Sequence, residues 1–330
     1  MTYPGPGSWQ APPVIQFQPL TLGQLFSGML SAVRLRARPM FGISIAAGIV
    51  LALSGGLVSA VASSDSLYGA NSADLAESLS QAAEAVTESG PDFVVSLASA
   101  AVMIFVTGML TLLVVNAVVG RYLNVQQTWD ELRPNVWRLI GASLLVWLIL
   151  VGGTLILVLA AAAILAFSAS SLDTSNMALS AFLVIVVALV AVAALLWAGV
   201  RLFFVTQAAV VEGAGPVDAI KRSWQLTKGA FWRILGRQIL LALLLGAIVG
   251  VVVGGASVVL GLGAVVADWP LGVVAFVLTA LSVIASALLL PYSAAFDALM
   301  YVDERLRKEN LGPALQESWE VNRVEQAGAE

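Results

Sequence analysis

LRPNVWRLIGASLLVWLILVGGTLILVLAAAAILAF, residues 132–167, decides the fold. After Arg138 no charged side chain appears until Asp173. About 20 apolar residues cross the ~30 Å hydrocarbon layer of a bilayer. This run is long enough to do so, and Trp137 with Arg138 at its start suits a headgroup boundary.

Five further runs share its character. The six predicted spans are 40–62, 93–119, 139–167, 177–200, 236–266 and 271–290. None holds an Asp, Glu, Lys or Arg in its central part. The whole chain agrees: 330 residues, 59% hydrophobic, 11% charged, mean hydropathy +0.94. A soluble domain keeps about a quarter of its residues charged, so most of this surface must face lipid. The expectation is an all-α polytopic helical bundle with six transmembrane helices and amphipathic helices on its cytosolic face. The fifth run carries Gly254, Gly255, Gly261 and Gly263, which leaves it either one tilted helix or one broken near its outer end.

The basic residues predict orientation. All 16 Lys and Arg residues fall within 34–38, 121–138, 201–237 and 305–323. The intervening loops 63–92, 168–176 and 267–270 have none. Basic loops stay cytoplasmic, so a multi-pass protein of a bacterial cytoplasmic membrane is expected, with both termini inside. Residues 1–18, rich in Pro and Gln, read as a disordered tail that does not have the form of a signal peptide. Residues 19–308 form the membrane domain and 309–330 a cytosolic tail. The acidic loop after Ser72 reads as a short amphipathic helix with a solvated face.

Amphipathic stretches precede the first, third and fifth spans. Thr21 with Gln24 fits a capping box, as does Thr128 with Glu131. Gly215-Pro216 fits a helix start and Gly229 a helix end. The first stretch is expected to lie on the inner membrane surface, with packing on other cytosolic parts as the plainer alternative. Segments 37–56, 132–153 and 227–250 resemble one another, which suggests three repeats of a surface helix plus a two-span hairpin.

The candidate binding residues follow from that face. Lys221, Arg222, Arg233 and Arg237, flanked by Trp224 and Trp232, read as a cradle for phospholipid headgroups. Ordinary interfacial anchoring is the plainer alternative. Gly246, Gly250 and Gly254 share one helix face and read as a packing seam, with a partner helix either inside the chain or in a second subunit. Asp303, Glu304, Arg305, Arg307 and Lys308 read as an exposed charged exit.

Some chemistry is excluded. Without cysteine there is no thiolate metal site or cysteine nucleophile. Without histidine the commonest general base is gone. No catalytic, cofactor or metal residues are assigned. The membrane core lacks ionisable groups and offers mainly Asn116 as a polar candidate, which weakens a proton-coupled carrier.

The segment RLFFVTQAAVVEGAGPVDAIKRSWQLTKGAFWRILG (201–236) resembles the glycerophosphoryl diester phosphodiesterase membrane-domain family. PLTLGQLFSGML (19–30) and MYVDERLRKENLGPAL (300–315) are similar to that family's opening and closing segments. The Pro/Gln-rich tail resembles those of actinobacterial members. The resemblance implies a membrane partner or regulator of lipid-related processes, without the catalytic domain that names the family. The expected function is a non-enzymatic, lipid-associated scaffold or accessory protein of the envelope, with membrane phospholipids as partners and no nucleic acid. A homo-oligomer or an envelope protein partner stays open. The alternative is a transporter or permease for an apolar or lipid-like solute.

Overall fold

The computed structural model describes residues 14–62, 90–169, 174–267, 269 and 271–327. Among them the chain is helical throughout, with no strand. The elements are α1 (Leu22–Leu35), α2 (Ala37–Ala62), α3 (Gly90–Val118), α4 (Val125–Leu132), α5 (Val136–Ala169), α6 (Thr174–Leu202), α7 (Val205–Val211), α8 (Pro216–Thr227), α9 (Phe231–Val266), α10 (Leu271–Glu309) and α11 (Gly312–Ala327). One order recurs: a short helix, then two long ones. It appears as α1–α2–α3, α4–α5–α6 and α8–α9–α10. The expected short helix after Ser72 lies outside the described residues.

Five helices are long and apolar enough to cross a membrane among the described residues: α3, α5, α6, α9 and α10. In α2 the stretch Ala37–Leu51 is apolar as well. The glycine-rich fifth run is one continuous helix of 36 residues, not a broken one. The sixth run does not stop before Pro291. α10 continues through it to Glu309, which carries Asp297, Asp303 and Glu304 on the same rigid rod as the apolar run.

Burial is uneven. The core gathers at the basic end, where the last turns of α3 and α10 meet α1, α7, α8 and the starts of α5 and α9. Leu110, Leu113, Phe204, Phe296, Leu299 and Tyr301 are fully buried there. Toward the other end α5, α6 and α9 expose Ile156, Leu189, Val251 and Val265. Acyl chains are as apolar as these side chains, so helices in lipid gain nothing by hiding them.

The first cap is as the sequence predicts. The Gln24 side chain accepts from the Thr21 N–H at 2.8 Å and the Gln24 N–H donates back to Thr21 Oγ1 at 3.4 Å. Such caps contribute about 0.5–2 kcal/mol. α1 does not present its apolar face to lipid, however. Leu25, Met29, Ala32 and Val33 are buried, α1 packs on α10, and Phe26 meets Phe296 at 5.0 Å between ring centroids. The second cap also differs. α4 starts four residues earlier than Thr128–Glu131 would place it, with Gln127 accepting from the Asn124 N–H at 2.8 Å. Thr128 lies inside the helix, bonded to the Asn124 carbonyl.

Both expected tails contain packed residues. Val14 and Ile15 are buried in the core, so the packed chain begins before residue 19. Residues 309–330 include α11. Its Trp319 faces Phe17, and Asn322 donates to the Val119 carbonyl at 2.8 Å.

Candidate functional site

The basic end is a set of clamps between helices distant in sequence. α8 begins at Pro216, which needs no N–H donor at a first helical position. It ends before Gly229, whose φ of +75° suits a residue without a side chain. This turn aims α9 so that Arg233 and Arg237, one helical turn apart, face the last turns of α10.

There each finds a carboxylate. Arg237 Nη1 lies 2.6 Å from Asp303 Oδ2, and Arg237 Nη2 donates to the Leu20 carbonyl at 3.2 Å. Arg307, one turn beyond Asp303, donates to the same carboxylate at 3.0 Å and to the same carbonyl at 2.7 Å. The Leu20 N–H closes the ring onto Asp303 Oδ1 at 2.7 Å. Arg233 forms a bidentate pair with Glu304, at 3.0 and 2.6 Å, the strongest arrangement two such groups can adopt.

A second cluster binds α7, α8 and α10. Glu212, just after α7, accepts from Arg222 Nε at 2.8 Å, from Arg305 at 3.5 Å and from the Tyr301 hydroxyl. Arg222 also pairs with Glu309, which Arg305 holds at 3.0 Å. Burial lowers the Arg222 pKa, but the Glu212 and Glu309 carboxylates outweigh it and leave the net value above the usual one. Lys308 donates to the Gln225 and Lys228 carbonyls, closing the end of α8. Gln238 donates to Asp297 at 2.7 Å.

The expected headgroup cradle is therefore not an open one. Arg222, Arg233 and Arg237 are turned inward onto carboxylates, because α10 brings four acidic side chains to their level. Lys221 remains largely exposed, with only a loose pair to Asp218 at 3.5 Å. Trp232 is 80% exposed and edge-packed on Phe231. Trp224 meets Trp197 edge-on at 5.2 Å, and the Arg201 guanidinium lies over both rings, at 4.9 and 5.6 Å. Arg201 Nε and Nη1 are buried without a hydrogen-bond partner among the described residues.

Asp303 and Glu304 are fully buried, which corrects the reading of those two as part of an exposed exit, while Arg307 and Lys308 are exposed as expected. The overlooked signal is the apolar run Ala298–Val302 directly before the two acids, which continues the buried face of α10 up to them. Asn116, the polar candidate of the apolar runs, is tied to its neighbours. It bonds Leu112 at 3.0 Å and Glu131 at 2.9 Å, and Arg121 donates to both Asn116 and Glu131. Gly246, Gly250 and Gly254 have nothing within 4 Å of where a Cβ would stand, so among the described residues no helix packs on that seam. Close helix approach occurs instead at Gly48, where a Cβ would lie 2.7 Å from that of Ala287 on α10.

A domain of unknown function, DUF7847, matches residues 67–304. The chain belongs to the DUF7847 family. Neither a curated protein nor a solved structure matches it. The DUF7847 match contains both members of the Arg237–Asp303, Arg233–Glu304 and Arg222–Glu212 pairs. It stops at Glu304, leaving α1, Arg307 and Glu309 outside it. Among the described residues no group of three or more acids is placed to hold a metal ion.

Proposed function

We propose that this protein is a non-enzymatic, lipid-associated scaffold or accessory protein of a bacterial cytoplasmic membrane. α2 joins the five apolar helices as a sixth span, and both termini face the cytoplasm, where the basic end sits. The observation that carries the reading is the internal matching of that end. Arg222, Arg233, Arg237, Arg305 and Arg307 all meet carboxylates of the same chain. Charges matched this way hold helices together and do not wait for a reactant. The large side chains left standing out at this level are Trp137 and Trp232, 81% and 80% exposed, and indoles favour the headgroup zone. The resemblance of residues 201–236 to the glycerophosphoryl diester phosphodiesterase membrane-domain family points toward lipid as well, without catalytic residues.

The test is purification in mild detergent followed by mass spectrometry of the retained lipid. Phospholipid held through extended washing supports the reading, and protein free of lipid counts against it.

One observation favours transport. A cavity of about 210 Å³ lies between α2, α3 and α10, lined by Ser44, Met103, Ser282 and Ser286 among apolar neighbours. The Ser44 hydroxyl is buried there without a partner among the described residues. Flux of a fluorescent lipid across proteoliposomes, lost in Ser44→Leu, would establish the permease reading in place of the scaffold.

A further inference from the structure

We propose that the cleft between the α1–α2 corner and the start of α4 binds a phosphate-ester anion, most simply a phospholipid headgroup. This rests on the lipid-associated reading above but uses a different set of residues. The cleft measures about 680 Å³ and is lined by Arg34, Arg36, Arg38, Pro39, Asn124 and Val125. That volume falls in the range of small-molecule sites and exceeds what a bare phosphate fills.

The case is one of charge left unmatched. At this end Arg121, Arg222, Arg233, Arg237, Arg305 and Arg307 meet carboxylates. Arg34, Arg36 and Arg38 form no ion pair among the described residues, although they stand within five positions of one another. Like charges so close repel, and an anion between them removes the repulsion. Arg36 is the most enclosed of the three. Its guanidinium lies 5.6 Å from the Tyr122 ring centroid, and Nη2 is buried with no acceptor. Burial lowers its pKa, as expected where no carboxylate stands beside a guanidinium.

The opposite wall adds the same sign. α4 starts there, and its first turn carries no acidic residue. A helix start presents free N–H groups and partial positive charge. Depth favours a lipid source. Arg38 and Pro39 lead directly into the apolar stretch of α2, so the cleft sits where hydrocarbon gives way to headgroups. Guanidinium forks suit phosphate oxygens better than ammonium groups do.

The experiment uses the full chain in detergent and in nanodiscs. Wild type and Arg34→Gln/Arg36→Gln/Arg38→Gln are compared for binding of phosphatidylglycerol, of phosphatidylcholine alone and of free glycerol phosphate. Wild type should bind the anionic lipid about 100-fold more tightly than the triple variant, from roughly fivefold per guanidinium removed. Lys228→Gln, at an exposed cation outside the cleft lining, should bind as wild type does. Should the triple variant fail to fold, Arg36→Gln and the triple Arg→Lys variant carry the test, each expected to bind more weakly. Lipid bound equally by wild type and variants would overturn the cleft and leave the lipid-associated reading standing. Cleft-dependent binding of glycerol phosphate without lipid would uphold the cleft and overturn that reading. Binding of neither would overturn both.

Discussion

Arg237 and Asp303 stand 66 positions apart in sequence and 2.6 Å apart in space, both buried. Through them α9 and α10 are joined at the point where the N-terminal segment arrives. Removing one member of such a pair strands the other in a poorly solvated site, and that sets its sensitivity.

Asp303→Ala should lower stability by about 3–5 kcal/mol, the range for breaking a buried pair. Arg237→Met with Asp303→Leu should recover part of that loss, because one stranded guanidinium is removed with its partner. Thermal or denaturant unfolding in detergent, arranged as a double-mutant cycle, measures both. A loss in the double variant equal to the sum of the losses in Arg237→Met alone and Asp303→Leu alone would show that the pair is not coupled.

Glu304→Gln should cost less, about 1–3 kcal/mol. Glu304 is fully buried, but its partner Arg233 is 37% exposed and can take water in exchange. The same unfolding measurement ranks the two sites, with Asp303 the more sensitive.

Gly48→Val should destabilise the α2–α10 contact by about 1–3 kcal/mol through overpacking, since its Cβ would lie 2.7 Å from that of Ala287. Gly250→Ala should leave the melting temperature unchanged or slightly raised, because none of the described residues lies within 4 Å of the added Cβ. A fall in oligomer mass for Gly250→Leu, read by light scattering, would place a second copy on that face.

The chain has no cysteine, so single cysteines report topology directly. Ser78→Cys should react with an impermeant thiol reagent in intact cells, and Lys221→Cys only after lysis. Ser223 is a poor probe despite its neighbours, being fully buried and bonded to the Arg201 carbonyl. Labelling of Lys221→Cys from outside would reverse the orientation.

Features set by neighbours in sequence were legible. Each apolar run is a helix, and Thr21–Gln24 caps α1, because span length and capping are short-range. Thr128–Glu131 misleads for a related reason. The pattern also occurs within a helix, and Asn124–Gln127 offers the same pattern one turn earlier, while Arg121 and Asn116 draw Glu131 away. The ion pairs were not legible. A window along the chain sees charges three or four residues apart, whereas Arg233 and Glu304 are separated by 71 positions. Only the packing of α9 on α10 brings them together, so residues read as a lipid cradle became a protein interior. The clustering of Arg34, Arg36 and Arg38 is visible in the sequence, whereas their lack of an ion pair among the described residues depends on the same long-range packing.

The ring around the Leu20 peptide has a consequence for biogenesis. It joins positions 283 apart, so Leu20 waits for Asp303 to leave the ribosome. Spans enter the bilayer in order, but closure of the basic end follows the synthesis of α10. A chain cut before Asp303 would insert its helices and still leave α1 undocked, open to proteases that the finished molecule resists.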